Sequence, residues 1–163
     1  RRISRDLRPG VLDDLGLGPA LKALTDDFAT RTGIKSEFST VVFRNRLDPE
    51  AKIALYRIAQ EALMNIERHA NATVMTMDLR GHAKGATLRI SDNGNGLPSE
   101  KDRVGPGIGL RNMHERIEQL DGTLRILSSR GTQSGTVIEA ILPLSHLLAP
   151  GESLGEDQRS RSV

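Results

Sequence analysis

Apolar positions along this chain change their period several times, and each change predicts an element. From Leu15 onward, Leu17, Leu21, Leu24 and Phe28 recur at helical spacing, one face of an amphipathic helix, and Gly33 is placed to cap its C-terminus. Ile34 to Phe43 alternates imperfectly and ends on Val41-Val42-Phe43, which predicts a strand. Asp48 followed by Pro49 is a helix start, a side-chain cap and then a residue pre-set for the first helical position. This helix is expected to run to about Ala70, with Leu55, Ile58, Ala59, Ala62, Leu63 and Ile66 on one arc and Asn71 ending it. Glu61, Asn65 and Arg68 fall together at the rim of that arc. Polar groups so placed suit a pocket wall.

Val74 to Leu79 and Ala86 to Ser91 alternate as strands about a turn over Gly81 to Gly85, a hairpin that delivers Asp92 at its end. Gly109 to Leu120 reads as a third helix with Leu110, Met113, Ile117 and Leu120 inward, closed at Asp121-Gly122. Two further strands, Thr123 to Leu127 and Thr136 to Leu142, are joined by a glycine-bearing turn, and Pro143 ends the second. The order predicts an α/β (α+β) two-layer sandwich: a mixed, mostly antiparallel sheet with three helices on one face and the other face more exposed. Residues 1–14, charged and broken by Pro9-Gly10, read as a connector. The tail from Ser145 to Val163 has too few apolar residues to offset its ordering entropy and is expected to be disordered.

At 163 residues the chain fits one domain with a substantial core. Its 23 basic and 21 acidic residues nearly cancel, so no broad positive field favours direct nucleic-acid binding. The lack of cysteine removes disulfides and thiolate metal sites and fits a reducing, cytoplasmic setting. No run of about 18 apolar residues marks a spanning helix, and the charged N-terminus is no signal peptide. The chain begins without Met, and we expect a piece of a longer protein whose membrane status is not visible in it.

The chemistry concentrates in Asp92-Asn93-Gly94-Asn95-Gly96-Leu97 and, after a polar segment, Gly105-Pro106-Gly107-Ile108-Gly109-Leu110. Asp92 can accept a hydrogen bond from the exocyclic amine of adenine, where guanine carries an oxygen. The competing reading makes Asn93-Gly94 a type I′ hairpin turn, but loop residues rather than a partner strand follow it. Gly105, Gly107 and Gly109 lead into a helix, so free amides and the positive dipole end can meet a phosphate. The stretch from Asn95 to Ile108 is a candidate lid. Asn65 offers an amide oxygen suited to Mg2+, which takes few protein ligands. Arg68, on the same rim, is placed for phosphate, and Glu61 for a base or water-orienting role. The alternative for all three is a solvated helix face. His69, His82, His114 and His146 show no paired ligand spacing; His69, beside Arg68, is within reach of a phosphate.

Four signals stand in one order: Glu61-Ala62-Leu63-Met64-Asn65-Ile66-Glu67-Arg68-His69-Ala70, Asp92-x-Gly94-x-Gly96, Gly105-x-Gly107-x-Gly109-Leu110 and Gly135-Thr136. The set resembles the catalytic ATP-binding domain of bacterial sensor histidine kinases, with its asparagine box and three glycine boxes, in the wider family shared with gyrase, Hsp90 and MutL. The resemblance covers roughly residues 15–144. Leu7 to Leu17 and Gly109 to Arg116 are similar to the nitrate-sensor-like subfamily, whose partners are response regulators with a LuxR-type DNA-binding domain. The resemblance implies a Bergerat-type fold, an adenine pocket at Asp92, a Mg2+ ligand at Asn65, phosphate contacts from Arg68 and the glycines, and a contribution from Thr136 near the base. It also implies an upstream dimerisation domain carrying the phosphoacceptor histidine. No histidine here precedes His69, so the chain is expected to bind ATP without its own acceptor, as a monomer cut from a homodimer. A gyrase-like hydrolytic switch, an anti-sigma-factor-like serine kinase and a nucleotide-free scaffold are the other readings.

Overall fold

The computed structural model describes residues 16–41, 46–97 and 108–148. It contains the helices α1 (Leu17–Thr32), α2 (Pro49–Asn65) and α3 (Ile108–Glu118) and the strands β1 (Lys35–Thr40), β2 (Arg46–Leu47), β3 (Val74–His82), β4 (Gly85–Asp92), β5 (Thr123–Ser129), β6 (Gly135–Pro143) and β7 (Leu147–Leu148). The connector over residues 1–14, Val42 and Phe43 of the expected strand, Gly105 and Gly107 with most of the expected lid, and the tail beyond Leu148 lie outside the described residues.

Five strands form one sheet in the order β1-β3-β4-β6-β5. In this sheet only β1 and β3 run parallel, a pairing that needs the crossover α2 provides, and every other neighbour is antiparallel. One face carries Met75, Met77, Leu79, Leu88, Ile90, Ile138, Ala140 and Leu142, all buried. The helices cover it with Leu21 and Phe28 from α1, Leu55, Ile58, Ala59 and Ala62 from α2, and Met113 and Ile117 from α3. The expected two-layer sandwich is present. On the open face, Asp78, Arg89, Glu139 and Arg125 stand side by side in register across four strands. Their alternating sign suits adjacent strands in water.

The local signals act as expected at the helix ends. Asp48 caps α2 by accepting the Ala51 N–H at 2.8 Å, and Gly33 closes α1 in a left-handed conformation. Three boundaries differ from the sequence reading. The first strand stops at Thr40, and Val41 is exposed, because β1 is an edge strand with β3 as its one neighbour. The second helix gives way after Asn65 to a π-helical turn over Ile66–Ala70, and left-handed Asn71 ends it. The expected disorder from Ser145 is corrected for residues 145–148: a 3-10 turn (Leu144–His146) leads into β7, which pairs with β2.

His146 explains why that end is ordered. Its Nδ1 lies 2.9 Å from Asp48 Oδ2 and its Nε2 lies 2.8 Å from the Leu120 carbonyl oxygen, so one ring ties the C-terminal turn to α2 and to the end of α3. A neutral imidazole has one N–H for these two acceptors; the imidazolium donates to both. Burial opposes the charge, but the hydrogen bonds to Asp48 and Leu120 and the charges of Asp48 and Glu50 outweigh it and raise the His146 pKa above 6.5. Because the folded value exceeds the unfolded one, the stabilisation is complete below the unfolded value and is lost as pH rises through the folded one. The wild-type advantage in melting temperature over His146→Gln should therefore be larger near pH ~6 than near pH ~8.5, as read by thermal denaturation. A constant difference would assign the clasp to packing alone.

Candidate functional site

The far end of α2 and the far end of β4 meet at a cleft. Asn65 closes α2 and Asp92 closes β4, and both line it with Ala62, Ile66, Ile90, Gly96, Leu97, Thr136 and Ile138. The walls are apolar on both sides, and three polar side chains converge from separate elements. The open volume is about 20 Å3, room for about one water.

Asp92 is held by backbone. The Gly94 N–H donates to its Oδ1 at 2.8 Å, so the first glycine serves a tight local turn. Burial pushes the Asp92 carboxyl above the usual carboxylate range, and hydrogen bonds from the Gly94 and Thr136 amides partly oppose the shift. The type I′ hairpin reading fails here, because β4 pairs with β3 and β6 and no strand follows Gly94 directly. Thr136 stands opposite Asp92 in the β4–β6 register and is buried. Its approach requires glycine beforehand, since a Cβ on Gly135 would lie 2.2 Å from the Asp92 carbonyl oxygen. Gly96 adopts φ +77°, and its Cβ would fall 2.5 Å from the Ser129 carbonyl oxygen.

The remaining expected residues divide. Gly109 opens α3 beside the rim of α2: a Cβ there would lie 2.9 Å from Glu61 Oε2 and 3.7 Å from Asn65 Oδ1. Glu61 does not line the cleft with Asp92. It lines a second groove of about 520 Å3 between the three helices, together with Leu24, Arg31, Ile53, Arg57 and Arg116. Arg68 stands exposed on the π-helical turn, outside the cleft lining. Leu110 is half-buried and packs against the core. His69 has a backbone place in the π-helical turn; Gly105 and Gly107 lie outside the described residues.

Sequence reasoning missed three contributors. Ser128 Oγ accepts the Leu97 N–H at 2.7 Å and lies 3.5 Å from Thr136 Oγ1, which fixes one wall of the cleft. Arg31, in the last turn of α1, donates to both carboxylate oxygens of Glu67 at 2.6 and 2.5 Å, and so holds the π-helical turn from outside. Asn93 bonds the chain ahead of β3. The pairings of Leu97 with Ser128, Arg31 with Glu67 and Asn93 with Thr73 have no sequence signal, because each joins residues 20 or more positions apart.

The family model for histidine kinase-, DNA gyrase B- and HSP90-like ATPases matches residues 50–146. The chain belongs to this ATPase family. Its sequence is 47% identical to the sensor histidine kinase MctS of Rhizobium johnstonii over 147 residues, covering 89% of this chain and 31% of that protein. It is 33% identical to the oxygen sensor histidine kinase NreB of Staphylococcus carnosus, covering 89% of this chain and 41% of that one. The chain therefore spans well under half of these relatives. The histidine kinase domain of the blue-light activated kinase of Erythrobacter litoralis shares the fold at TM-score 0.62 and 22% identity, covering 79% of this chain and 61% of that one. Asn65, Asp92, Gly94 and Gly96 all fall within the matched residues.

Two glycine substitutions separate strain from proximity. Gly96→Ala combines a left-handed backbone with a backbone clash, and a loss of about 2 kcal/mol or more is expected from denaturant unfolding. Gly109→Ala meets only the end of the flexible Glu61 side chain, and alanine favours a helix over glycine by about 1 kcal/mol. Its unfolding midpoint should stay close to wild type.

Proposed function

We propose that this chain is the catalytic ATP-binding domain of a sensor histidine kinase. The observation that carries the reading is the single cleft walled by Asn65 from one side and Asp92 from the other. Asp92 accepts the adenine amine, with Thr136 beside the base, and the apolar residues Ile66, Ile90 and Ile138 flank the purine. Leu97, whose N–H is held by Ser128 Oγ, forms a further apolar wall beside the purine. Asn65 supplies an amide oxygen to Mg2+. Among the described residues no cluster of three or more His, Cys, Asp or Glu could cage a metal, and an ion held mainly by phosphates and water needs no such cage.

Arg68, with His69 next to it, meets the phosphates alongside Gly105, Gly107 and the amide end of α3 at Gly109 and Leu110. The reaction is in-line transfer: the bond from the γ-phosphorus to the ADP oxygen breaks as a bond forms to an imidazole nitrogen. The protein's part is to position groups and neutralise charge. The acceptor histidine belongs to an upstream dimerisation domain, and the phosphoryl group passes on to a response regulator of the LuxR type. The parent is a homodimer working in the cytoplasm.

A hydrolytic switch is the second reading, favoured by Glu61 lying beside Asn65 at Gly109. Phosphate release by the isolated chain, abolished by Glu61→Gln, would select it; the kinase reading expects little release until a histidine-bearing dimerisation domain is added.

Titration calorimetry with a non-hydrolysable ATP analogue and Mg2+ tests the site. Asp92→Ala and Asn65→Ala should each weaken binding by at least about tenfold, the scale of one lost charge-assisted contact. Undiminished binding by both would overturn the assignment. The wild-type affinity should also fall on acidification from a pH above the ordinary carboxylate range. Burial raises the Asp92 pKa, and a ligand that prefers the carboxylate loses affinity as pH drops through that raised value. Asp92→Asn should flatten this profile.

A further inference from the structure

Asn93 sits between Asp92, the proposed base reader, and Gly94, where the sequence offered a hairpin turn only as the competing reading. Its side chain does something else. Oδ1 accepts the backbone N–H groups of Thr73 and Val74, both at 2.9 Å, and Nδ2 donates to Thr73 Oγ1 at 2.9 Å. The Asn93 backbone N–H also donates to the Val74 carbonyl oxygen at 3.3 Å. One residue therefore makes four bonds to Thr73, just ahead of β3, and to Val74, its first residue.

Those two residues end the short passage that leaves Asn65. The chain runs from Asn65 through the π-helical turn, reverses at left-handed Asn71 and reaches Thr73. The Thr73 carbonyl in turn accepts the Lys35 N–H at 3.0 Å, so β1 is anchored at the same point. π-helical turns inside longer helices are uncommon and collect at functional sites. This one is clamped upstream by Arg31 on Glu67 and just downstream by Asn93. The closed path Asn65, π-helical turn, Thr73, Asn93, Asp92 spans both walls of the cleft.

We infer that Asn93 is a positioning residue for nucleotide binding: by tying Thr73 and Val74 to the Asp92 turn, it sets the separation between the Mg2+ ligand Asn65 and Asp92. This rests on the ATP-binding reading above. The side chain need touch no nucleotide. Its effect travels through backbone held at two points, and it acts on the simultaneous engagement of both ends of one ligand. Its chemistry also specifies what can replace it. An aspartate keeps both acceptor bonds and lets the Thr73 hydroxyl donate, whereas an alanine makes none of the three side-chain bonds.

The test compares the affinity of the 163-residue chain for ATP with Mg2+ and with EDTA, alongside its affinity for adenosine and its melting temperature. Asn93→Ala is expected to weaken Mg2+-ATP binding by about tenfold, the scale of two or three lost hydrogen bonds. Most of the loss should fall on the gain that Mg2+ provides, with adenosine affinity changed less. Asn93→Asp should restore the Mg2+ gain. Thr73→Val removes a single bond and should produce a loss of the same kind, about threefold; it carries the test if Asn93→Ala does not fold. A residue that only stabilises the fold would lower the melting temperature and leave the Mg2+ gain of the folded fraction unchanged. That result in the folded variants overturns the proposal and leaves the ATP-binding reading standing. Wild-type chain that binds no ATP would instead overturn both.

Discussion

The site depends on how closely α2 can lie on the sheet. Half of its buried residues are small: Ala51, Ala54, Ala59 and Ala62 share the inward side with Leu55, Ile58, Gln60 and Leu63. Small residues there bring the helix axis down onto β4 and β6, and packing at crystal-like density then fixes its direction and its end point. Asn65 comes to the end of the central strand β4, where the chain releases Asp92. A bulkier face would lift the helix and part the two walls of the cleft.

Within that cleft, apolar packing and polar recognition compete. Ile66, Ile90 and Ile138 make a dry surface for a flat ring, and the same burial raises the cost of charging Asp92. Amide hydrogens from Gly94 and Thr136 offset part of that cost and also fix the direction of the carboxylate. Glycines at 96 and 135 belong to this solution. They let backbone, rather than side chains, approach the carboxylate and the cleft wall. At both positions a Cβ would collide with backbone, of Ser129 at Gly96 and of Asp92 at Gly135.

Polar pairings outside the cleft hold the elements that build it. Arg31 and Glu67 join α1 to the π-helical turn, Asn93 joins the Asp92 turn to the start of β3, and His146 joins the C-terminal turn to the cap of α2. The Arg31–Glu67 pair is about a quarter to a third exposed, so its value lies in geometry more than in free energy. Asn93 and His146 bond to backbone groups, whose positions are fixed by the chain, which makes them more specific. Together they leave the helix layer one registration on the sheet.

Local signals in the sequence determined the element types, the caps at Asp48 and Gly33, the two-layer arrangement and the glycine-rich turn at Asp92, because each rests on chemistry within a few neighbouring residues. The ordered boxes pointed to the family for the same reason. The tertiary structure alone decided that Asn65 and Asp92 share a cleft, that Glu61 faces the groove between the helices, that Arg68 stands exposed, and that residues 145–148 are ordered. It also gave the Asn93 side chain its bonds to Thr73 and Val74, for which the sequence held no signal. These outcomes follow from contacts between positions tens of residues apart, and periodicity along the chain carries no record of which distant surfaces burial will press together.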